Sequence, residues 1–244
     1  MKLLSLNVEG SKHLERTSVL FKEQMADVVC LQECNEETIS VLKSLGYATH
    51  FLPMTLRSGE KNTEEGVVLA SLHPVTFSTH YYHTPNQTLS VFAKEDSRNT
   101  NRQGLIVGTV SVNEVAHTIA TTHFTWTEDG STPNQSQVDD IEALLQYTQT
   151  LGSHVICGDF NIPRSHSSLY KEITDAYTDQ VPQHHKSSMD AQLHRLGSTP
   201  GKEIIFTNYM VDYILTKGPY GAQNVELIFG VSDHAAVIGN ITLD

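Results

Sequence analysis

The sequence predicts an α+β chain built as a four-layer αββα sandwich, two stacked mixed β-sheets flanked by helices. Short apolar runs of strand length recur from one end of the chain to the other. Helical patterns are concentrated between the early and middle runs, and several runs end on Asp, Glu, Asn or His. Periodicity alone distinguishes no further than α/β or α+β; the many strands and the placing of the helices argue for two stacked sheets.

Lys2-Leu3-Leu4-Ser5-Leu6-Asn7 alternates as a strand, and Leu14, Val19, Leu20 and Phe21 give helical spacing over His13–Met25. Asp27–Glu33 is a buried strand ending in an acid. Glu36–Leu45 is a helix stopped by Gly46, whose lack of a Cβ suits the left-handed turn after a helix. Strands follow at Tyr47–Leu52, Gly66–Ser71, Val75–His80, Leu105–Val112 and His117–Phe124. Pro133 is expected to open a helix running to about Thr150, with Val138, Ile141, Leu144, Leu145 and Thr148 on one face. The rest is a strand at Val155–Cys157, a short helix at Leu169–Ala176, and strands at Val211–Leu215, Val225–Ile228 and Ala236–Ile241. Met54–Glu65, Thr84–Gln103 and Gln180–Lys202 are polar and read as long surface loops, a type of segment that often shapes binding sites. No repeat or linker interrupts the chain, so one domain over residues 1–244 is expected.

Composition narrows the function. Sixteen lysines and arginines against 28 aspartates and glutamates give a formal charge of −12, and no basic residues form a run. Such a chain is a poor nonspecific polyphosphate binder unless a local basic patch or a bridging cation intervenes. Asn7, Glu9 and Lys12 break the apolar start well short of a signal sequence, and no run is long enough for a membrane span. Cys30, Cys34 and Cys157 read as reduced, packed thiols, so a cytoplasmic protein is expected, a monomer with no obligate protein partner.

Two segments carry the chemistry. Gly158-Asp159-Phe160-Asn161 follows the apolar Val155-Ile156-Cys157, and Ser232-Asp233-His234 precedes the apolar Ala235-Ala236-Val237-Ile238. A carboxylate at the end of a buried strand is poorly solvated and needs a partner: a cation, an imidazole or a row of amides. Two such ends suggest one metal-assisted centre. Glu33 is a hard oxygen ligand of the kind Mg²⁺ takes, and an N-cap for the next helix is its plainer reading. Asn7 is the polar break in an apolar strand.

Leu6-Asn7, Leu31-Gln32-Glu33, Thr122-His123, Gly158-Asp159-Phe160-Asn161, Val211-Asp212-Tyr213-Ile214-Leu215 and Ser232-Asp233-His234, in that order, resemble the endonuclease/exonuclease/phosphatase (DNase I-like) superfamily. Its members include DNase I-like nucleases, abasic-site endonucleases, neutral sphingomyelinases, inositol-polyphosphate 5-phosphatases and tyrosyl-DNA phosphodiesterases. The resemblance spans residues 3 to 238 and implies the αββα fold with metal-dependent phosphoester hydrolysis. By it, Glu33, Asn7 and Asp233 are the metal set for Mg²⁺ or Mn²⁺, and Asp159 orients the attacking water or takes its proton. Asn161 donates to a phosphate oxygen, though Asp-x-Asn-x-Pro is also a plain Asx turn. His234 faces the phosphate with Asp212 fixing its tautomer. His123 acts on phosphate or leaving group, and its presence favours the DNase I-like and sphingomyelinase-like branches over abasic-site endonucleases. Glu65 is the candidate to orient His123, Arg102 to meet substrate phosphate, and Trp126 to contact substrate. Tyr81 and Tyr82 line a cleft or pack in the core, and His184-His185 reads as a solvated pair.

The substrate stays open between nucleic acid and a small phosphodiester, with inositol phosphate or sphingomyelin as alternatives. A non-catalytic phosphate-binding scaffold is disfavoured because Asp159, Asn161, Asp212 and His234 are all present.

Overall fold

A computed structural model describes every residue except 60, 84, 85, 87, 128, 129, 131 and 244. Two six-stranded mixed sheets stack against each other, as expected. In chain order the elements of the first half are β1 (Lys2–Asn7), α1 (Leu14–Gln24), β2 (Val28–Cys34), α2 (Glu36–Ser44), β3 (Ala48–Arg57), β4 (Thr63–Ser71) and β5 (Val75–Tyr81). They continue with α3 (Ser97–Thr100), β6 (Gly104–Val112), β7 (Val115–His123), α4 (Gln135–Gln149) and β8 (His154–Asp159). The last are α5 (Leu169–Ala176), β9 (Thr178–Asp179), α6 (Glu203–Asn208), β10 (Asp212–Lys217), β11 (Tyr220–Ile228) and β12 (Ala236–Leu243).

Strand order is β11-β12-β1-β2-β4-β3 in the first sheet and β5-β6-β7-β8-β10-β9 in the second. Each sheet holds one parallel pair, β1 with β2 and β7 with β8, and antiparallel neighbours elsewhere. A parallel pair needs a long crossover, and α1 and α4 provide it. The parallel pairing sets the C-terminal ends of β1 and β2 side by side, and likewise those of β7 and β8.

Between the sheets, Leu3, Val28, Cys30, Val67 and Leu69 of the first meet Leu105, Val107, Ile119, Val155 and Ile214 of the second in one apolar cluster. Ile141 and Leu144 of α4 and Leu169 and Ile173 of α5 extend it over the second sheet. On the opposite side Leu20, Phe21, Ile39 and Leu42 of α1 and α2 pack on Leu4, Leu6, Val29 and Leu31. Side chains of this size contribute roughly 1.5–3 kcal/mol each when fully buried, and they clamp the sheets together. The three cysteines are buried and unpaired. Among the described residues no helix is long and apolar enough to cross a membrane.

Three expectations need correction. Met54–Glu65 is a strand hairpin, with β3 reaching Arg57 and β4 starting at Thr63. β3 is an edge strand, where a polar sequence and Pro53 beside a bulge are tolerated. Pro133 lies ahead of the helix; Asn134 is the cap, its side chain accepting from Gln137 N at 2.9 Å. Thr84–Gln103 contains the short helix α3, with residues 84, 85 and 87 outside the described set.

Candidate active site

One rim of the sandwich gathers the strand-end residues of both sheets. In the parallel pairs Asn7 lies opposite Gln32 and His123 opposite Asp159. The antiparallel β10 begins at Asp212, opposite Asp159, and His234 stands two residues ahead of β12. Gly158 permits this arrangement. At its φ of +140° a Cβ would sit 2.0 Å from the Thr122 carbonyl oxygen, so only glycine lets β8 approach β7 just before Asp159.

Asp159 is the hub, with 2% of its surface exposed. Its Oδ2 accepts from Asn7 Nδ2 at 3.1 Å and lies 3.5 Å from His123 Nε2 and 3.9 Å from His234 Nε2. Its Oδ1 accepts the Asn161 N–H at 2.9 Å, an Asx turn that leaves Asn161 at a φ of +51°. The turn therefore serves the site, because it fixes one carboxylate oxygen and aims the other between two imidazoles. Asn161 Nδ2 donates to the Phe124 carbonyl at 3.0 Å, which occupies one of its two amide hydrogens.

His234 Nδ1 and Asp212 Oδ2 are 2.8 Å apart and buried. Burial alone would discharge the imidazole, but Asp212, Asp159 and Asp233 outweigh it and hold His234 well above the ordinary histidine range. Burial also pushes the Asp212 carboxyl upward, against the pull of His234 and a Ser188 hydrogen bond. The side chains of Asp159, Asp212 and His234 approach closely enough to suggest a metal set, their ligand atoms lying within 4.8 Å of one another. His234 Nδ1 and Asp212 Oδ2 are already spent on each other, however.

The fit for a hard cation lies with the oxygens. Glu33 sits in a bulge of β2 at a φ of +50°, a conformation that costs a non-glycine residue about 1–3 kcal/mol and re-aims its side chain. Its Oε1 faces Asn7 Nδ2 at 3.3 Å. Asp233 is raised to about 6 by burial, with Glu9 and Glu33 adding to the rise and His234 opposing it. Glu65 is raised to about 8 by burial and then by Glu33, against the pull of Arg57. Buried carboxylates with further carboxylates beside them are the donor chemistry a divalent cation relieves, and oxygen donors of this kind fit Mg²⁺ or Mn²⁺.

Two assigned orientations differ from expectation. Asn7 presents its amide nitrogen, not its oxygen, to Glu33 and Asp159, because Oδ1 accepts the Glu9 N–H at 3.2 Å. Glu65 pairs with Arg57 Nε at 2.6 Å, and the acids facing His123 Nε2 are Asp159 at 3.5 Å and Glu33 at 3.9 Å.

Arg102 makes no ion pair with these acids; it donates to the Asn86 carbonyl, and its buried Nε has no partner among the described residues. Trp126 is 36% exposed three residues beyond His123, with Lys94 Nζ 5.2 Å above its ring. Tyr82 is core, its hydroxyl bonded to Thr122 Oγ1 at 2.7 Å. His184 and His185 pack ring against ring, 4.1 Å between centroids. Arg57 was not foreseen. It bridges Glu65 and Glu33, the latter at 3.3 Å, while stacking on Phe92. The alternation of Leu52, Met54 and Leu56 is the signal that would have extended the strand to Arg57. Gln32 was quoted only as part of a motif, yet its Nε2 crosses between the sheets to Thr121 Oγ1 at 3.1 Å.

A model of the Endonuclease/Exonuclease/phosphatase family matches residues 4–234. Comparison with curated proteins gives no match. Among solved structures, an endonuclease/exonuclease/phosphatase family protein from Leptotrichia buccalis superposes with a TM-score of 0.72 at 18% identity, covering 100% of both chains. The human Nocturnin catalytic domain with bound sulfate gives 0.68 at 17% identity, over 100% of this chain and 94% of that one. A 3'-5' exonuclease from Neisseria meningitidis gives 0.66 at 18% identity, over 100% of each. At these identities the structural likeness shows the fold.

Proposed function

The chain belongs to the endonuclease/exonuclease/phosphatase family, and on that premise we propose that it is a Mg²⁺- or Mn²⁺-dependent phosphodiesterase that cleaves nucleic acid or a small phosphodiester by in-line attack of water. The observation that carries this reading is Asp159, a buried carboxylate with one oxygen fixed by a turn and the other aimed between His123 and His234.

Held by Glu33 and Asp233 beside Asn7, the cation would neutralise charge on the phosphoryl oxygens. The chain's own residues do the rest. Asp159 orients the attacking water and takes its proton. The His234 imidazolium, oriented and kept charged by Asp212, donates to the phosphoryl oxygen on which charge grows. Asn161 has one amide hydrogen left to hold a phosphate oxygen. His123, on the other side of Asp159, serves the phosphate or the leaving group. Trp126, exposed beside this rim, offers a stacking face of the kind bases use, which supports a nucleic-acid substrate along with the fold shared with the Neisseria exonuclease. Action in the cytoplasm is part of the same proposal, supported by the three unpaired, buried thiols, and so is action as a monomer, which an oligomeric-state measurement would check.

A substrate panel with Mg²⁺ tests the class: duplex and single-stranded DNA, RNA, nucleotides, sphingomyelin and inositol phosphates. Cleavage of a nucleic acid or small phosphodiester is expected. Turnover confined to phosphomonoesters would overturn the phosphodiesterase reading. Glu33→Gln should weaken cation affinity and be partly rescued at high Mg²⁺. A variant whose metal titration matches that of the unmodified chain would remove Glu33 from the metal set.

A further inference from the structure

The Asp212–His234 bond spans the two sheets. Asp212 opens β10 in the second sheet, whereas His234 leads into β12 in the first. Neither sheet's hydrogen-bond ladder therefore fixes their 2.8 Å separation. Packing between sheets resists separation but tolerates small slides, and an error of about 1 Å in a catalytic pair can cost on the order of 100-fold in rate.

A tripeptide from the long segment before α6, Ser188–Asp190, bridges these two strand ends. Ser188 is fully buried. Its Oγ accepts the N–H groups of Val211 at 3.2 Å and Asp212 at 3.4 Å, and its own N–H donates to the Tyr209 carbonyl at 3.1 Å. Its carbonyl accepts the N–H of Ala235, the residue after His234, at 2.7 Å. Met189 forms an isolated antiparallel bridge with His234. Asp190, also buried, donates its N–H to the Asp233 carbonyl at 2.8 Å and accepts the Gly230 N–H on Oδ2 at 2.7 Å. Its Oδ1 accepts the N–H groups of Gln192 and Leu193 at 2.8 and 3.2 Å, which closes the turn behind it. One short stretch thus ties residues 211 and 212 on one side to residues 230, 233, 234 and 235 on the other.

We propose that Ser188 is a positioning residue for the Asp212–His234 pair, holding the two sheets in register at the site, and that Asp190 seats the turn carrying Asp233 and His234. The proposal builds on the hydrolytic reading above, but its geometric content is separable. Ser187 is the control. Its hydroxyl is on the same stretch, bonds Ile205 O at 2.8 Å and Tyr209 O at 3.2 Å and accepts the Met189 N–H at 3.1 Å, with no bond of its own to Asp212 or the His234 turn.

The test uses proton NMR of the full chain together with kcat and KM. The hydrogen-bonded Nδ1–H of His234 should give a downfield imidazole resonance, assigned by its loss in His234→Ala. Ser188→Ala should shift or broaden that resonance and lower kcat about tenfold, the scale of one lost buried hydrogen bond, with KM little changed. Ser187→Ala removes a bond within the stretch but none to Asp212, so it should move the resonance and kcat clearly less than Ser188→Ala does. In a His234→Ala background, Ser188→Ala should have no further effect on kcat. An unshifted resonance in folded Ser188→Ala, or a full additive loss in the double variant, overturns the proposal. If Ser188→Ala does not fold, Asp190→Asn decides. That change keeps an oxygen for the local turn but can set an amide against the Gly230 N–H, and an unmoved resonance there is equally fatal. A wild-type chain that hydrolyses nothing, yet whose resonance responds as described, would sustain the positioning role while the hydrolytic reading falls.

Discussion

Asp159→Asn should lower kcat by about 10²–10⁴-fold, the usual contribution of a general base, with the fold retained. The amide oxygen can keep the Asn161 N–H bond that Oδ1 makes at 2.9 Å, so the turn survives. The new amino group then replaces the oxygen that now accepts from Asn7 Nδ2 at 3.1 Å and faces His123 and His234. Charge and basicity are lost in the one place where two imidazoles and an amide converge. The measurement is kcat on the best substrate of the panel, with a thermal melt to confirm folding. Rates equal to those of the unmodified chain would reduce the Asp159 motif to a turn.

His234→Ala should lose as much activity as Asp159→Asn, and Asp212→Asn should lose less, because Asp212 acts through the imidazole without touching phosphate. If the 2.8 Å bond makes them one unit, the double variant should be little worse than His234→Ala alone. The sign of the pH effect is also set. His234 is held above the usual histidine range, so its charge is present at low and neutral pH and is lost as pH rises through the raised value. Removing the Asp212 charge lowers that value, so the alkaline limb of kcat in Asp212→Asn should move to lower pH. Strict additivity in a double-mutant cycle on kcat would show that Asp212 does not act through His234.

The residues that meet at the rim were legible because each interrupts or bounds an apolar run: Asn7 at the end of β1, Glu33 in β2, His123 at the end of β7, Asp159 after Cys157, Asp212 at the start of β10 and His234 ahead of β12. Polar residues at such positions give away strand ends, and the parallel β1–β2 and β7–β8 pairs bring those ends to one side. What sequence reasoning missed has physical causes too. The outer half of the β3–β4 hairpin is an edge with a polar pattern, so Arg57 was hidden inside an apparent loop. Glu65 was given to His123 because chain order cannot show that an arginine eight residues earlier lies across the hairpin from it. The direction in which Asn7 points depends on a local bond to the Glu9 N–H, which no strand pattern carries. The Ser188–Asp190 bridge has no periodicity, since its order comes from hydrogen bonds to two different sheets.

The central claim is that these strand ends form a single cation-dependent hydrolytic centre, with Asp159 at its heart. Its most direct test is hydrolysis of bis-p-nitrophenyl phosphate by chain treated with EDTA and dialysed, with Mg²⁺ or Mn²⁺ then added back, run beside Asp159→Asn. No turnover is expected without metal, recovery on addition of either ion, and no recovery in Asp159→Asn at any metal concentration. Full activity in the metal-free chain, or equal recovery in the variant, would contradict that claim.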